Sequence, residues 1–473
     1  MKNRFNRLTS KEWLPFQKSW FRYDTDEKLF KENIRFFIRE EPSEEKLFYW
    51  GDKEELVRSV CATEDVRMVN ISTFDDQPLQ FAIFDLRNTL SIISYLSEYE
   101  DIKLNILTLC EKIFHCLADR RFIVIMLPNI VLDGKYYPVV WDMALQLSSI
   151  FSLKDEKIAC TSEPQIAQNK HVFTPNNKIF YCLYFRKDEN SGGRYKERHH
   201  QLFKYNEPLE SKKKFTHSIP SWFILKPQPR KKDEILHPAK YPEELVSMFI
   251  NEFTEVDDNV FDPMSGTGST QVASLRAGRN AFGTELSDFF AAIAIQRCQN
   301  IVQPTQIDLF GSPNKQQFSI LHKDAREITK EDFPMIDYLI TSPPYWDMLN
   351  MKGAENQAKR VVKGLQTNYS ESTDDLGNIA DYQQFVSDLT KVYLNILDIM
   401  KSGSYLTIVV KNIKKKGRNY PFAWDLTDSL MGKLILLPET FWCQDDINLA
   451  PYGYGNTFVS NTFHQYCLNF QKP

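Results

Sequence analysis

Two short loops carry residue types that could hold a small ligand beside a reacting group. The first is Asp262-Pro-Met-Ser-Gly-Thr-Gly-Ser269, which follows a short apolar segment and precedes a predicted helix ending at Gly278. Gly266 and Gly268 would let the backbone approach a ligand where a side chain would collide. In open α/β sheets, a strand, a glycine-containing loop and a helix form a ligand site at the carboxyl end of the strand. The spacing matches neither a phosphate-binding loop nor the dinucleotide fingerprint.

The second loop is Ser342-Pro-Pro-Tyr345, which follows the apolar stretch from Asp337 to Thr341. The two prolines fix their own φ angles, and Pro343 also restricts the backbone of Ser342. The sequence therefore predicts a rigid turn at a strand end that presents carbonyl groups and an aromatic ring to a cleft. The alternative interpretation is a Pro-Pro turn that merely ends a core strand.

Together, the D-P-x-x-G-x-G-S/T loop and the S-P-P-Y loop resemble the DNA amino-methyltransferases that use S-adenosylmethionine to modify cytosine N4 or adenine N6. The resemblance implies an α/β fold with a Rossmann-like methyltransferase sheet. Upstream, His237-Pro-Ala-Lys240-Tyr-Pro242 resembles the family's H-P-x-K-x-P motif, which packs beside the cofactor. Many relatives have a permuted motif order in which S-P-P-Y comes first, whereas here it comes last.

The resemblance implies that the first loop binds the methionine half of S-adenosylmethionine. Asp262 can accept charge-assisted hydrogen bonds from the cofactor's ammonium, and the backbone N–H groups of residues 266–269 suit its carboxylate. Glu285 can accept both ribose hydroxyls, with Leu286 beside the adenine. Asp324 lies where the family has a carboxylate near the adenine amino group, with a plain surface acid as the alternative. The predicted cofactor-binding residues are His237, Lys240, Pro242, Asp262, Pro263, Ser265, Gly266, Thr267, Gly268, Ser269, Glu285, Leu286 and Asp324.

The second loop, Ser342, Pro343, Pro344 and Tyr345, is implied to be catalytic. Hydrogen bonds from the exocyclic amine of the target base to Ser342 Oγ and the Pro343 carbonyl would draw its nitrogen toward tetrahedral geometry. Tyr345 would stack on the base, which must leave the duplex to reach the pocket. Serine at the first position favours cytosine N4, and adenine N6 stays open because the motif does not read the ring.

A basic cluster follows the apolar stretch from residue 405 to residue 410. Its members are Lys411, Lys414, Lys415, Lys416 and Arg418. Because this loop should lie at the same sheet edge as the active site, we expect these residues to contact DNA phosphates. Residues 346–380 predict a long loop near the substrate, with Trp346, Asp347 and Asn350 lining the base pocket.

An internal repeat links the two halves of the chain. Residues 129–142 and 412–425 are identical at seven of fourteen positions, and Tyr-Cys-Leu-x-Phe-x-Lys occurs at both 181–187 and 466–472. Matches in one order at nearly one offset indicate duplication. We interpret the first copy as a catalytically degenerate half-copy, equivalent to the second half of the sheet. A coincidentally similar α/β domain is the alternative. The counterpart of Ser342–Tyr345 is expected near residues 70–75, where no proline stands.

The repeat predicts three parts. Residues 1–205 form a degenerate methyltransferase-like domain with a role in DNA recognition, residues 206–235 a basic and proline-rich linker, and residues 236–473 the catalytic domain. The composition, with 42% hydrophobic residues, is that of a globular protein. No apolar run is long enough to span a membrane, and no secretory signal is visible. The eight cysteines form no C-x-x-C pair, so neither a metal site nor a disulfide framework is expected.

The leading functional hypothesis is a site-specific methyltransferase acting on double-stranded DNA in a bacterial or archaeal restriction-modification or defence system. The expected location is the cytoplasm, as a monomer or homodimer, with a cognate restriction endonuclease as a further candidate partner. The net charge of −4 means that any DNA-binding surface must be local. Methylation of RNA or of protein glutamine, and a non-catalytic DNA-binding subunit, are the alternatives.

Overall fold

Two mixed β-sheets, one from each half of the chain, form the framework of the molecule. They are seen in a computed structural model, which describes residues 6–39, 46–74, 78–161, 179–188, 219–226, 242–302, 316–346, 375–415, 418–445 and 462–473. No helix in the described ranges is long and apolar enough to cross a membrane. All eight cysteines are free thiols, and all but Cys116 are buried.

The first half supplies nine strands and six helices within the described residues. In chain order they are α1 (Ser10–Phe16), β1 (Trp20–Arg22), α2 (Asp26–Phe37), β2 (Lys46–Trp50), α3 (Glu54–Thr63), β3 (Arg67–Val69), β4 (Leu79–Asp85), α4 (Arg87–Ser91), α5 (Leu96–Cys116), β5 (Leu117–Leu127), β6 (Ile130–Leu132), β7 (Lys135–Tyr137), α6 (Val139–Leu147), β8 (Ser152–Cys160) and β9 (Ile179–Arg186). Helix α2 illustrates the local rules: the Thr25 side chain caps its first turn by accepting from Lys28 N–H, and its buried stripe runs from Leu29 to Phe37.

The second half continues with ten strands and five helices in the part of the chain that the structure describes. They are β10 (Trp222–Ile224), α7 (Glu243–Phe253), β11 (Asn259–Asp262), α8 (Ser269–Arg276), β12 (Asn280–Glu285), α9 (Asp288–Val302), β13 (Phe318–His322), β14 (Ile336–Thr341), α10 (Tyr382–Ile396), β15 (Met400–Val410), β16 (Ile413–Lys415), β17 (Arg418–Tyr420), α11 (Phe422–Met431), β18 (Ile435–Cys443) and β19 (His464–Gln471). Short 3-10 turns cover Ala325–Glu327, Leu376–Asn378 and Leu397–Ile399.

The sheet of the second half has the strand order β10-β18-β19-β15-β14-β11-β12-β13. Strand β19 runs antiparallel to both of its neighbours, while β15, β14, β11, β12 and β13 pair in parallel. Parallel strands end at one edge of a sheet, where open α/β folds bind ligands. The predicted α/β fold, with an open sheet of mainly parallel strands, is confirmed by this arrangement.

The sheet of the first half repeats the order as β1-β8-β9-β5-β4-β2-β3. By position, β2 and β3 are the counterparts of β11 and β12, and β1 is the counterpart of β10. Among the described residues, only β13 has no equivalent strand in this sheet. The prediction of a half-copy is therefore too narrow, because the first sheet also has counterparts of the strands that carry the glycine loop. These counterparts could not be recognised from the sequence, because the loop after β2 is short and has a single glycine, Gly51.

Strand register corrects the expected counterpart of the S-P-P-Y loop. Phe81 pairs with Phe122, and Tyr338 pairs with Tyr405. Phe122 and Tyr405 are 283 residues apart (405 − 122), the same interval as between Asn129 and Asn412 (412 − 129). The residue equivalent to Ser342 is therefore Asp85, and the counterpart loop is Asp-Leu-Arg-Asn at 85–88, not a segment near residues 70–75.

The two halves pack against each other through equivalent surfaces. One apolar core contains residues from both sheets, including Trp141 and its repeat partner Trp424, whose rings stack at 6.2 Å. The contacts are also reciprocal: Trp20 Nε1 donates to the Gln444 carbonyl at 3.0 Å, and Trp222 Nε1 donates to the Thr161 carbonyl at 2.9 Å. Reciprocal contacts of this kind define a two-fold interface, here formed within one chain.

Candidate active site

The glycine loop and the S-P-P-Y loop lie side by side. They follow β11 and β14, which are adjacent parallel strands. Thr341 Oγ1 donates to Asp262 Oδ1 at 2.7 Å, and Thr270 Oγ1 donates to Asp262 Oδ2 at 2.7 Å. The buried Asp262 carboxylate therefore joins the end of β14 to the start of α8. Its predicted contact with the cofactor's ammonium stays a prediction.

The glycine loop is folded tightly onto its neighbours. Gly268 has a φ of +79°, and a Cβ there would lie 2.9 Å from the Cβ of Ala294 in α9. Gly283 of β12, which belongs to neither sequence motif, lies directly beneath the loop. A Cβ at Gly283 would meet Ser265 Oγ at 2.3 Å and Gln271 Nε2 at 2.4 Å. Any side chain at position 283 would displace the loop, so glycine is required there by close approach of the backbone.

Glu285 ends β12 and faces the same loop. Its carboxylate accepts hydrogen bonds from the backbone N–H of Gly266 at 2.7 Å and of Ser287 at 2.9 Å. Burial raises the pKa of Glu285 above its usual value, although the two backbone donors favour its charged form. The other predicted residues of this loop, Pro263, Ser265, Thr267 and Ser269, are buried with it.

Asp324 follows β13, the strand beside β12. It accepts from the Arg326 backbone N–H at 2.8 Å and forms an ion pair with the Arg326 guanidinium at 2.5 Å. Burial acts to raise the pKa of Asp324, but the hydrogen bonds from Arg326 outweigh it and the pKa is lowered. Leu286 is partly exposed, and its carbonyl is 2.9 Å from His322 Nε2. Both residues thus lie at the carboxyl ends of neighbouring strands, and their contacts with the adenine stay predictions.

The S-P-P-Y loop includes one polar side chain and one aromatic ring that touch. Ser342 Oγ lies 3.4 Å from Tyr345 Oη, which donates to Gln465 Oε1 of β19 at 2.8 Å. Burial raises the pKa of Tyr345 to about 12, so its hydroxyl stays protonated at neutral pH. Gln465 was not predicted, since nothing in its sequence neighbourhood indicates that β19 reaches this loop.

Lys411, predicted to contact DNA phosphates, lies beside the S-P-P-Y loop. Its ammonium lies 5.3 Å from the centre of the Tyr345 ring. Burial lowers the pKa of Lys411, and within the described residues no carboxylate lies at ion-pair distance from it. An ammonium held against an aromatic face at a ligand site can donate to an acceptor on a bound base. The predicted contact of Lys411 with DNA phosphates stays a prediction.

The rest of the basic cluster divides in two. Lys414 pairs with the buried Asp155 of β8, so its charge is neutralised by the first half. The structure therefore gives Lys414 an ion pair within the chain in place of the predicted phosphate contact. Lys415 places its ammonium 4.0 Å from the Trp346 ring centre, and its role at DNA stays a prediction. Arg418 begins β17, and Lys416 lies outside the described residues.

Trp346 is a core residue rather than part of an open base pocket. It is 4% exposed, and its ring packs on Tyr382 at 5.1 Å and on Tyr420 at 4.7 Å. Asp347 and Asn350, the other two predicted pocket residues, lie outside the described residues, as do His237 and Lys240 of the upstream motif. Pro242, the last residue of that motif, is the N-cap of α7.

The corresponding place in the first half is closed by charged residues. Arg87, the counterpart of Pro344, pairs with Asp85 at 2.6 Å and with Asp26 at 2.6 Å. Its guanidinium lies 4.7 Å from the ring centre of Phe180. Lys53, from the counterpart of the glycine loop, also pairs with Asp26. Salt bridges thus join the first-half counterparts of the glycine loop and the S-P-P-Y loop.

Sequence comparisons identify relatives by partial matches. A family model described as DNA methylase matches residues 85–296. The type II methyltransferase M.MthZI of Methanothermobacter thermautotrophicus is 46% identical over 52 residues, which are 11% of this chain and 15% of the relative. The orphan methyltransferase M.BamHII of Bacillus amyloliquefaciens is 36% identical over 66 residues, 14% of this chain and 25% of the relative. The chain thus spans a quarter or less of these relatives' length. A solved structure of a putative rRNA methylase from Clostridium thermocellum is 14% identical, covers 49% of this chain and 95% of its own, and has a TM-score of 0.29.

The limits of the family match coincide with structural landmarks. The matched span begins at Asp85, the counterpart of Ser342, and ends within α9, after the glycine loop. The matched span therefore begins at the first-half counterpart of the S-P-P-Y loop and ends after the glycine loop of the second half. This is the permuted order, in which the S-P-P-Y position comes before the glycine loop.

Proposed function

We propose that this chain, whose residues 85–296 match the DNA methylase family, transfers a methyl group from S-adenosylmethionine to the exocyclic amine of a DNA base. The observation that carries this proposal is the hydrogen bond from Thr341 to Asp262, which joins the ends of the two strands that carry the motifs. A cofactor at one loop and a base at the other would then meet above these strand ends.

The residues at the glycine loop fit S-adenosylmethionine. The loop leads into the amino terminus of α8, where backbone N–H groups favour a carboxylate. Glu285 retains acceptor capacity on both oxygens beyond its two backbone bonds, enough for the ribose hydroxyls. When bound, the cofactor supplies an electrophilic methyl group on a sulfonium.

The S-P-P-Y loop would prepare the attacking nitrogen. Ser342 Oγ and the Pro343 carbonyl accept hydrogen bonds from the exocyclic amine, whose lone pair is otherwise delocalised into the ring. The bound cofactor would supply the methyl group and leave as S-adenosylhomocysteine. The proton lost by the amine would pass along its hydrogen bonds to Ser342 Oγ or the Pro343 carbonyl and on to solvent. No covalent enzyme intermediate is needed, so positioning provides most of the acceleration.

Cytosine N4 is our preferred target because serine occupies the first position of the S-P-P-Y loop, and adenine N6 is the alternative. The proposed substrate is double-stranded DNA, from which the base is flipped into the site. We place the enzyme in the cytoplasm of a bacterial or archaeal cell, within a restriction-modification or defence system and with a cognate nuclease as partner. Recognition of the DNA sequence is assigned to residues 1–235 or to 346–380.

Incubation of the purified chain with radiolabelled S-adenosylmethionine and mixed-sequence duplex DNA tests the proposal. Mass spectrometry of the digested nucleosides should show N4-methylcytosine, whereas N6-methyladenine would support the alternative. Ser342→Ala and Tyr345→Ala should abolish transfer while isothermal titration shows cofactor affinity within about three-fold of wild type. Cofactor binding without methylation of any DNA would favour a non-catalytic DNA-binding subunit, and label in RNA or protein would redirect the assignment.

A further inference from the structure

Two buried acids on β8 of the first half reach across to the second half. Asp155 is fully buried, Glu156 is 2% exposed, and both bind residues from the strands and hairpin beside the S-P-P-Y loop. We propose that Glu156 is a positioning residue for the active site in the other half of the chain. This inference rests on the proposed function and names the structural contribution that the degenerate half makes to it.

Glu156 bonds two residues of the second half, one with each carboxylate oxygen. Asn412 Nδ2 donates to Oε1 at 2.8 Å, and Tyr466 Oη donates to Oε2 at 2.8 Å. Both donors are buried, and His464 Nε2 lies 3.6 Å from Oε1. Hydrogen bonds to a buried carboxylate are strong, and their loss would leave two buried donors unsatisfied.

The two donors are chain neighbours of residues that touch Tyr345. Asn412 follows Lys411, whose ammonium faces the Tyr345 ring, and Tyr466 follows Gln465, which accepts from the Tyr345 hydroxyl. On a strand, successive side chains point to opposite faces, so fixing Tyr466 on one side fixes Gln465 on the other. Asn412 Oδ1 also accepts from the Ala423 N–H at 2.9 Å, which holds the chain beyond β15. Glu156 thereby fixes the backbone on two sides of the catalytic loop.

Asp155 makes a parallel link. Its ion pair with Lys414 holds the hairpin formed by β16 and β17 against β8. The next residue, Lys415, lies over the ring of Trp346, which directly follows the S-P-P-Y loop. The hairpin is therefore bound between an acid of the first half and an aromatic ring of the second.

Glu439 of β18 is the repeat partner of Glu156. The two residues are 283 positions apart (439 − 156), the same interval as between Asn129 and Asn412. It accepts hydrogen bonds from Asn129 at 3.0 Å, from Tyr136, and from Tyr181 at 2.5 Å. These donors belong to the first half, where Asp85 and Arg87 stand in place of Ser342 and Pro344. Glu439 thus holds residues of the first half, which has no S-P-P-Y loop. A substitution of Glu439 is therefore a matched control for the same substitution of Glu156.

The experiment compares Glu156→Ala, Glu156→Gln and Glu439→Ala in the full chain. Small displacements of a substrate-positioning group can lower turnover by up to about 100-fold. We expect Glu156→Ala to lower kcat by at least about ten-fold with KM for S-adenosylmethionine within about three-fold of wild type. Glutamine retains an acceptor for Asn412, so Glu156→Gln should recover most of the lost kcat. Glu439→Ala should lower Tm by a similar amount and leave kcat within about two-fold of wild type.

Hydrogen exchange of the same proteins provides a readout that does not depend on activity. Glu156→Ala should speed exchange at residues 342–346 and 405–415, while Glu439→Ala should speed it at residues 122–137 instead. Equal kcat in the two alanine variants, or unchanged exchange at 342–346 in Glu156→Ala, would overturn the inference. If wild-type chain methylates no substrate, the proposed function fails, and the exchange comparison still decides whether Glu156 positions the S-P-P-Y loop.

Discussion

At the scale of single residues, the site depends on side chains whose environment gives them a specific chemistry. Tyr345 is held by Gln465 and kept protonated by burial, so it can present a neutral ring to a base. Lys411 lies beside that ring with a pKa that burial has lowered. The ammonium is therefore available to a ligand rather than committed to a structural ion pair.

Lys411→Met should lower kcat/KM for DNA by about ten-fold, a loss of about 1.4 kcal/mol of transition-state stabilisation, because a donor to the bound base is removed. The wild-type rate should fall as pH rises through the lowered pKa of Lys411, because the ammonium loses its proton. The rate of the Lys411→Met variant should not show this fall. Steady-state kinetics across pH measure both effects. Lys391→Met, an exposed change in α10, is the control. Wild-type kinetics in Lys411→Met would place this lysine outside the base site.

At the scale of elements, the ends of adjacent parallel strands explain how the site could be predicted from sequence. The two motifs follow apolar segments, and parallel neighbours end at a common edge, so their proximity was predictable. The resemblance to DNA methylases, made from these motifs, is confirmed by the family match. The sequence could not predict the roles of three residues, Gly283, Gln465 and Glu156. Their contacts depend on tertiary packing, which brings together residues up to 310 positions apart in the chain. For the same reason, the run of basic residues from 411 to 418 could not indicate that Lys414 forms an ion pair with Asp155.

Gly283→Ala should weaken S-adenosylmethionine binding by at least about ten-fold, because its Cβ would overlap Ser265 and Gln271 and displace the glycine loop. Isothermal titration measures the affinity. Gly432→Ala is the matched control, since a Cβ there meets nothing within 4 Å. That change should leave affinity and fold intact. Equal affinities for the two variants would show that the loop tolerates displacement.

Asp428 in helix α11 should make the free energy of unfolding depend on pH. Burial, together with the nearby Asp425, raises the pKa of Asp428 to about 7 from an ordinary value near 3.8. The folded state then binds more protons than the unfolded state between these values, so this group's contribution to stability falls as pH rises from about 4 to about 7. Asp428→Asn should remove that fall and raise the free energy of unfolding at pH 8 by more than about 1 kcal/mol. Urea unfolding at pH 5 and pH 8 measures it, and an unchanged pH dependence in the variant would contradict the assignment.

At the scale of the whole molecule, the chain is a pair of related sheets. The second carries the glycine and S-P-P-Y loops, and the first has ion pairs at the equivalent place. Tryptophans from equivalent elements of the two halves contact each other, with ring centres 6.3 Å apart for Trp20 and Trp222 and 6.2 Å apart for Trp141 and Trp424. The same tyrosine–aspartate bond occurs in both halves, from Tyr99 to Asp142 at 2.7 Å and from Tyr382 to Asp425 at 2.6 Å. The repeat predicted from sequence is thus visible in packing as well as in strand order, although its extent was underestimated.

Each chain should bind one S-adenosylmethionine. In the first half, ion pairs among Asp26, Asp85 and Arg87 lie at the place equivalent to the glycine and S-P-P-Y loops. Titration calorimetry should give a stoichiometry near one, and Asp262→Ala should abolish all binding. A stoichiometry of two, or residual binding in that variant, would mean that the first half also accepts the cofactor.

The reciprocal carboxylates, Glu156 and Glu439, have a consequence for how such a protein can change. In an assembly of two identical chains, one substitution alters both ends of the symmetric contact at once. Joining the copies into one polypeptide removes that constraint, because Glu156 and Glu439 are encoded separately. One copy can therefore lose its chemistry while the surface that supports its neighbour is retained.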